Sequence, residues 1–87
     1  MVQSLTSAKS KFLSLEEMLS KLKELRLTLS REESVPAFVI FHDRVLYEMI
    51  RHKPRTLVEF SELNGVGKVK LERYGQLFLE ILNRNTL

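Results

Sequence analysis

Apolar side chains recur at helical spacing in the first third of the chain. Five of them follow one another at intervals of three and four residues and so share one helix face: Leu15, Met18, Leu22, Leu25 and Leu29. Ser14 followed by Glu17 is the pattern of a capping box, which predicts that the helix begins there. Val35-Pro36 predicts its end, because proline disfavours helical backbone in the residue before it. The same spacing suits a coiled coil, but about two heptads favour packing within the domain.

Two shorter elements are predicted in the middle of the chain. Ala37 to Phe41 is apolar throughout, and because no second run offers a strand to pair with it, we predict a short helical turn. Asp43 is a candidate N-cap for the next helix, which ends near His52 and is followed by Pro54. The buried side of that helix is predicted to contain Val45, Leu46, Met49 and Ile50.

The last third of the chain predicts two more helices. Thr56 and Glu59 form a second capping-box pattern, which starts a short helix. Its predicted buried residues are Leu57, Phe60 and Leu63. A final helix runs from Gly67 to about Asn83, and Gly75 within it predicts close contact with a neighbouring helix, since glycine otherwise costs up to about 1 kcal/mol. The apolar stripe of this helix is Leu71, Tyr74, Phe78 and Ile81, with Leu77 and Leu82 beside it.

Together these elements predict an all-α fold, a compact bundle of four helices plus a short helical turn. The helical domain is expected to span residues 13–84. Residues 1–12, rich in serine, threonine and lysine, are expected to form a flexible linker or terminus, and residues 85–87 a tail.

Composition favours a small intracellular domain. With 87 residues, 44% hydrophobic and 29% charged, the chain can form one soluble domain with its own core. It has no cysteine, which excludes a disulfide framework and a thiolate zinc site. No apolar run approaches the roughly 20 residues of a membrane span, and the start lacks the apolar core of a signal peptide. We expect a monomer located in a bacterial cytoplasm or nucleoid, or in a nucleus.

The net charge of +3 lies entirely in residues 51–73, which hold six basic and three acidic side chains. This segment contains Gly65 and Gly67, a pair typical of a tight, helix-hairpin-helix-like turn that opens a helix. The unpaired N–H groups of such a helix start suit a phosphate oxygen. Lys68 and Lys70 in the first turn oppose the helix dipole unless an anion is bound. The alternative is a plain connection between helices with solvated lysines.

No catalytic or metal-binding set is predicted. The only histidines, His42 and His52, are ten residues apart, which is not the i, i+4 spacing of a helical metal site. Asp43 beside His42 is better explained as a helix cap than as part of a catalytic dyad. We therefore expect a non-catalytic domain without a cofactor of its own.

Five short motifs stand in an order and spacing shared with a known family. They are Val35-Pro36-Ala37-Phe38-Val39-Ile40-Phe41-His42-Asp43, Leu46-Tyr47-Glu48-Met49, Lys53-Pro54-Arg55-Thr56, Asn64-Gly65-Val66-Gly67 and Lys70-Leu71-Glu72-Arg73-Tyr74-Gly75. They closely resemble the HRDC domain, the helicase-and-RNase-D C-terminal domain of RecQ DNA helicases and RNase D. The resemblance covers about residues 15–83. The Val-Pro and glycine motifs are more similar to the RecQ branch.

This resemblance implies an auxiliary domain that positions single-stranded or branched DNA for an ATP-dependent helicase of recombination and repair. ATP and Mg²⁺ would then belong to the parent helicase. In RecQ-like members the aromatic residue after Val-Pro takes part in single-strand binding, and that position here is Phe38, where tyrosine is common. The change keeps a stacking face and loses a hydroxyl. The alternative is that Phe38 lies in the core, in which case it offers no exposed aromatic platform.

The other candidate contacts are basic. Arg51, Lys53 and Arg55 are expected along the path of the strand, with a solvated loop as the alternative, and Arg73 either contacts DNA or pairs with a nearby glutamate. Both tyrosines are expected in the core or at its rim. Some HRDC domains bind proteins or their own helicase core, so a protein-docking domain is the second hypothesis. An RNase D type accessory domain that binds RNA is the third.

Overall fold

The computed structural model describes residues 14–84, and all the regular structure in that range is helical. The elements are α1 (Leu15–Glu33), α2 (Ala37–Ile40), α3 (Asp43–His52), α4 (Leu57–Ser61), α5 (Lys68–Lys70), a π-helical turn (Leu71–Gly75) and α6 (Gln76–Asn83). The predicted all-α bundle is thereby confirmed. The expectations for residues 1–12 and 85–87 lie outside the described residues. Within residues 14–84, none of the helices combines the length and the apolar content of a bilayer-spanning segment.

Helix α1 begins with the predicted capping box. The Ser14 Oγ accepts a hydrogen bond from the Glu17 N–H at 3.1 Å, and the Ser14 N–H donates to the Glu17 Oε1 at 2.9 Å. The helix ends where Ser34 adopts a left-handed conformation, two residues before Pro36. Leu15 is 57% exposed, so its predicted burial was wrong, because the packed surface of α1 begins one turn later, at Met18.

The core centres on an aromatic cluster contributed by several elements. Phe41 is fully buried, and its ring makes edge-to-face contacts with Phe60, Tyr74 and Phe78 at centroid distances of 6.3, 6.0 and 5.0 Å. Such geometry matches the quadrupoles of the rings. Phe41 directly follows α2, so this cluster fixes that short turn against α4 and the C-terminal helices.

A buried guanidinium group joins α1 to the start of α3. The Arg26 side chain, 12% exposed, pairs with the Asp43 carboxylate at 2.7 Å and donates to the Phe41 carbonyl at 2.9 Å. The hydrogen bond and the charge of Arg26 hold the pKa of Asp43 below its ordinary value. Asp43 was predicted as the N-cap, but the cap is His42, without a side-chain hydrogen bond. The Asp43 carboxylate instead accepts a charge-assisted hydrogen bond from Arg26.

Helix α4 begins at Thr56 with half of the predicted capping box. The Thr56 Oγ1 accepts from the Glu59 N–H at 3.1 Å, as expected. The Glu59 carboxylate instead accepts from the Arg55 N–H at 2.7 Å, one residue ahead of the cap. Phe60 is fully buried as predicted, whereas Leu57 remains 41% exposed.

The final helix is interrupted where one continuous helix was predicted. A π-helical turn, Leu71–Gly75, separates α5 from α6 and shifts the register of side chains between them. Gly75 is buried, and a Cβ placed on it would lie 3.1 Å from the Leu71 Cδ1 and 3.2 Å from the Leu57 Cδ2. The predicted close contact between Gly75 and a neighbouring helix is confirmed, since Leu57 belongs to α4.

Candidate nucleic-acid interface

Phe38 projects from α2 on the outside of the domain. Its side chain is 55% exposed, whereas Phe41, three residues later, is fully buried. One side of the Phe38 ring stacks on His42 at a centroid distance of 5.6 Å. Phe41 therefore fills the core position, and Phe38 is free to offer an aromatic surface to a partner.

The two glycines of the turn have different structural roles. Gly65 has a φ of +90°, and a Cβ placed on it would lie 2.6 Å from the Val45 Cγ2, so both its backbone and its surroundings favour glycine. Gly67 has a φ of −84° and would meet nothing within 4 Å. Only Gly65 is therefore required by crowding and by a positive φ, whereas Gly67 lies at the open start of α5.

The start of α5 leaves backbone donors available. Gly67 is the N-cap and makes no side-chain cap, and the first helical hydrogen bond runs from the Leu71 N–H to the Gly67 carbonyl at 2.9 Å. The N–H groups of Lys68, Val69 and Lys70 lie ahead of that bond, in the first helical turn, where N–H groups have no carbonyl partner within the helix. Lys68 is exposed, whereas Lys70 is half-buried with its Nζ 5.7 Å from the centre of the Phe41 ring. The basic turn therefore packs beside the end of α2.

Arg73 is held by partners within the domain. Its Nη2 lies 3.1 Å from the Glu33 Oε2, and its guanidinium lies over the Tyr74 ring at 5.4 Å. The buried Tyr74 hydroxyl donates to the Glu33 Oε1 at 2.7 Å. Burial, together with this hydrogen bond to the carboxylate, raises the pKa of Tyr74. The expected alternative for Arg73, a pair with a glutamate, is present, and it reduces the free positive charge at this position.

The other three predicted cations lie at the far end of α3. All are exposed, and they are Arg51, Lys53 and Arg55. The N–H of Lys53, which ends α3 in a left-handed conformation, donates to the Met49 carbonyl at 2.9 Å. The Arg55 carbonyl accepts from the Asn83 Nδ2 at 3.4 Å, which places Arg55 beside the end of α6.

These positions divide the predicted basic segment into two groups. Gly65 lies against Val45 in the first turn of α3, and Lys53 follows eight residues later, about 12 Å along the helix axis. Arg55 lies beside Asn83, at the opposite end of the C-terminal helices from α5. We call the first group, Phe38 with residues 65–73, the turn face, and the second, Arg51, Lys53 and Arg55, the α3-end group.

An acidic cleft extends between the two groups. It has a volume of about 590 Å³ and is lined by Glu48, His52, Pro54, Glu59, Glu62, Leu63 and Asn64. Pro54 adjoins the α3-end group, and Asn64 adjoins Gly65. The Glu48 carboxylate lies 2.9 Å from the His52 Nε2. The three glutamates repel a phosphate backbone, so the direct route between the two groups is unfavourable for a nucleic acid.

Sequence reasoning treated the two tyrosines alike, and the structure separates them. Tyr74 is 6% exposed and belongs to the core, whereas Tyr47 is 50% exposed on α3. Arg44, also exposed on α3, was not singled out. The signal was present in the sequence, because Arg44, Tyr47 and Arg51 are spaced three and four residues apart, which places them on one helix face.

The described residues offer no place for a metal ion. Within residues 14–84, no three side chains among His, Asp and Glu are grouped as ligands. The arrangement of exposed aromatic, basic and backbone N–H groups is suited to holding an anionic chain.

Comparisons with known proteins identify relatives of this fold. The family model described as the HRDC domain matches residues 16–82. The ATP-dependent DNA helicase RecQ of Haemophilus influenzae is 33% identical over 70 residues, which cover 80% of this chain and 11% of that protein. The ATP-dependent DNA helicase UvrD2 of Mycobacterium tuberculosis is 35% identical over 71 residues, covering 82% of this chain and 10% of the helicase. The chain thus spans about a tenth of the length of these relatives.

A solved structure matches in three dimensions. It is the D. radiodurans RecQ HRDC domain 3, with a TM-score of 0.75 and 35% sequence identity. The match covers 79% of this chain and 91% of that one. The two chains therefore share the arrangement of helices as well as sequence.

Proposed function

The chain belongs to the HRDC domain family, and from that premise we propose that it is an auxiliary nucleic-acid-binding domain of a RecQ-like DNA helicase. It binds single-stranded or branched DNA and helps to position it for unwinding in recombination and repair. HRDC is a small accessory domain of helicases, so the chain is non-catalytic by itself. ATP and Mg²⁺ would act in the parent helicase.

The observation that carries this proposal is the exposed ring of Phe38 on α2, the short turn whose following residue, Phe41, contacts Lys70 of the basic turn. A phenylalanine that is 55% exposed, on a turn fixed by the buried Phe41, is a preorganised platform for a base. Stacking of one base on such a platform contributes roughly 1 to 3 kcal/mol. Lys70 packs over Phe41, three residues after Phe38, and we expect it to be the cation nearest to a base stacked on Phe38.

The start of α5 supports a phosphate at the same face. Lys68 and Lys70 lie in the first helical turn, where the dipole disfavours cations, and a bound phosphate converts that repulsion into attraction. Lys70 already has an aromatic partner within the domain. Lys68 is exposed, and within residues 14–84 no carboxylate lies within ion-pair distance of it, so it is the cleaner probe of a phosphate contact.

The test is a fluorescence-anisotropy titration of a short labelled single-stranded DNA at several salt concentrations. If about three phosphates are contacted, log affinity falls with log salt at a slope near −2. Phe38→Ala is expected to weaken binding by about 5- to 150-fold, and Lys68→Ala to reduce the slope by about 0.7. The control is Arg31→Ala, because Arg31 is exposed and lies roughly 200° around α1 from the buried Leu29.

Two outcomes contradict the proposal. In the first, the wild-type domain binds no single strand at low salt. In the second, Phe38→Ala binds as tightly as Arg31→Ala, which would remove the platform. A slope near zero would exclude the electrostatic contribution.

A second candidate function, docking on a helicase core, is favoured by the apolar surface around α2. Val39 is 42% exposed next to Phe38, and Pro36 is exposed as well. An interaction titration with the isolated helicase core tests this function, and no detectable association would count against it. Tighter binding to RNA than to DNA of the same sequence would instead favour an RNase D type role.

A further inference from the structure

The solvent-facing side of α3 carries an aromatic residue between two arginines. Arg44, Tyr47 and Arg51 are spaced three and four residues apart, which places them on one face. All three are exposed, with Tyr47 50% exposed. The residues that α3 buries are on the opposite side of the helix, and they are Val45, Leu46 and Met49. The three exposed side chains, which we call the α3 stripe, therefore point away from the core.

The positive charge of the α3 stripe is not neutralised within the domain. Among residues 14–84, neither Arg44 nor Arg51 lies within ion-pair distance of a carboxylate. The neighbouring carboxylates are engaged elsewhere, since Asp43 pairs with Arg26 at 2.7 Å and Glu48 lies 2.9 Å from the His52 Nε2. The two guanidinium groups are thus available to an external anion.

We propose that the α3 stripe is a second single-strand contact, in which one base stacks on Tyr47 and the flanking phosphates bind Arg44 and Arg51. Guanidinium groups bind phosphate oxygens in bidentate fashion, and tyrosine gives a large stacking face at low conformational cost. The seven residue steps from Arg44 to Arg51 rise about 10 Å along the helix axis. That length corresponds to roughly three nucleotides of a stacked strand.

The α3 stripe continues the turn face along a route that avoids the acidic cleft. Arg44 follows His42 by two residues, and the His42 ring stacks on Phe38 at 5.6 Å. A strand leaving Phe38 can therefore pass onto the stripe at Arg44. Glu48 and His52 lie on one flank of α3, toward the cleft. This inference rests on the proposed function for the class of ligand, and it assigns Arg51 to the α3 stripe.

Substitutions at Tyr47 separate stacking from simple apolar contact. Tyr47→Phe keeps the aromatic face, whereas Tyr47→Leu keeps apolar area and loses the ring. In a titration of the full chain with labelled single-stranded DNA, we expect Tyr47→Phe to bind like the wild type and Tyr47→Leu to bind at least about fivefold more weakly. Arg44→Ala and Arg51→Ala should each reduce the salt slope by about 0.7, and Arg31→Ala should bind like wild type apart from a small general charge effect.

The two tyrosines also give a direct spectroscopic readout. With ring-labelled tyrosine, the NMR signals of Tyr47 are expected to shift upfield when the DNA strand is added, because a stacked base shields them. Tyr74, 6% exposed in the core, is the internal reference. Because its ring is buried, no base can stack on it, and its signals should shift far less than those of Tyr47 even though Arg73 of the turn face lies over its ring.

The outcomes distinguish this inference from the proposed function. If the wild type binds, Phe38→Ala weakens binding and Tyr47→Leu does not, the α3 stripe is excluded and the turn face stands. If Tyr47→Leu weakens binding and Phe38→Ala does not, the stripe stands and the Phe38 platform is excluded. A wild type that binds no strand overturns both. If the stripe binds an acidic protein segment and not DNA, the DNA titration leaves the Tyr47 signals unmoved, which also overturns the inference.

Discussion

Gly65 and Gly67 have one residue between them, and substitution by alanine should be strongly destabilising at Gly65 and nearly neutral at Gly67. Alanine at Gly65 must adopt a φ of +90° and would place its Cβ 2.6 Å from the Val45 Cγ2. A left-handed backbone costs about 1 to 2 kcal/mol for a residue with a side chain, and overpacking about 1 to 3 kcal/mol. Alanine also lowers the conformational entropy of the unfolded chain, which stabilises the folded state by about 0.4 to 1 kcal/mol. Gly65→Ala is therefore expected to destabilise the domain by roughly 1 to 4.5 kcal/mol, with about 3 kcal/mol as the central value.

Gly67→Ala is the matched control within the same turn. With a φ of −84° and nothing within 4 Å of a Cβ, alanine fits without strain. The loss of unfolded-state entropy stabilises this variant by about 0.4 to 1 kcal/mol, and the poorer N-cap preference of alanine offsets part of that gain, so its free energy of unfolding should stay within about 1 kcal/mol of wild type. Urea unfolding, monitored by far-ultraviolet circular dichroism, measures the free energy of unfolding of both variants. For a domain of this size, each 1 kcal/mol corresponds to roughly 4 to 8 °C in Tm.

A double-mutant cycle with Val45→Ala tests the cause of the Gly65 effect. Val45→Ala removes the Cγ2 that the new Cβ would meet, at a cost of about 2 kcal/mol for lost burial. If the clash is responsible, the double variant is more stable than the sum of the single effects predicts, by roughly 1 to 3 kcal/mol. Additivity within about 0.5 kcal/mol would refute the steric reasoning and leave backbone strain alone.

Two further predictions concern the α2–α3 junction. Phe41→Ala should destabilise by about 3 to 5 kcal/mol because it empties the aromatic core, whereas Phe38→Ala should stay within about 0.5 kcal/mol, both measured by urea unfolding. Equal effects would contradict the assigned burial. The pKa of Asp43 is lower in the folded chain than in the unfolded chain. As the pH falls, Asp43 is therefore protonated in the unfolded state before the folded state, and the stabilising contact with Arg26 is lost in acid. Asp43→Asn should therefore lose less stability than wild type as the pH falls from about pH 5 to below the ordinary aspartate pKa of about 3.9; an unchanged acid slope would contradict this.

Features set by neighbouring residues in the chain were predictable from sequence. The Ser14 capping box and the burial of Phe60 follow from hydrogen bonds and periodicity within a few residues, and both are present. Long-range contacts were not predictable in this way. Asp43 was assigned as a cap because its partner Arg26, 17 residues earlier in the sequence, becomes its neighbour only in the folded chain. The π-helical turn at Leu71–Gly75 likewise has no periodic signature, since it shifts register within one apolar stripe.

The candidate site was affected by the same limitation. The net positive charge lies within one segment of the sequence, residues 51–73, but its first three cations lie at the end of α3, away from the glycine turn. Arg51 therefore shares a surface with Arg44 and Tyr47, which lie outside the charged segment. The sequence pattern could not show which of Phe38 and Phe41 is exposed, because both lie in one apolar run. In the folded chain the Phe41 ring packs against three aromatic residues, so Phe41 is the buried one and Phe38 is exposed.

Two routes could connect the turn face to the α3-end group, and electrostatics favours one. The route through the cleft passes Glu48, Glu59 and Glu62, whose charges oppose a phosphate backbone at short range. The route over the α3 stripe passes two arginines without carboxylate partners in the described range and an exposed ring. Under the proposed α3-stripe contact, the acidic cleft would act as a boundary that keeps a strand on the solvent face of α3, where Arg44 and Arg51 are exposed on either side of the Tyr47 ring.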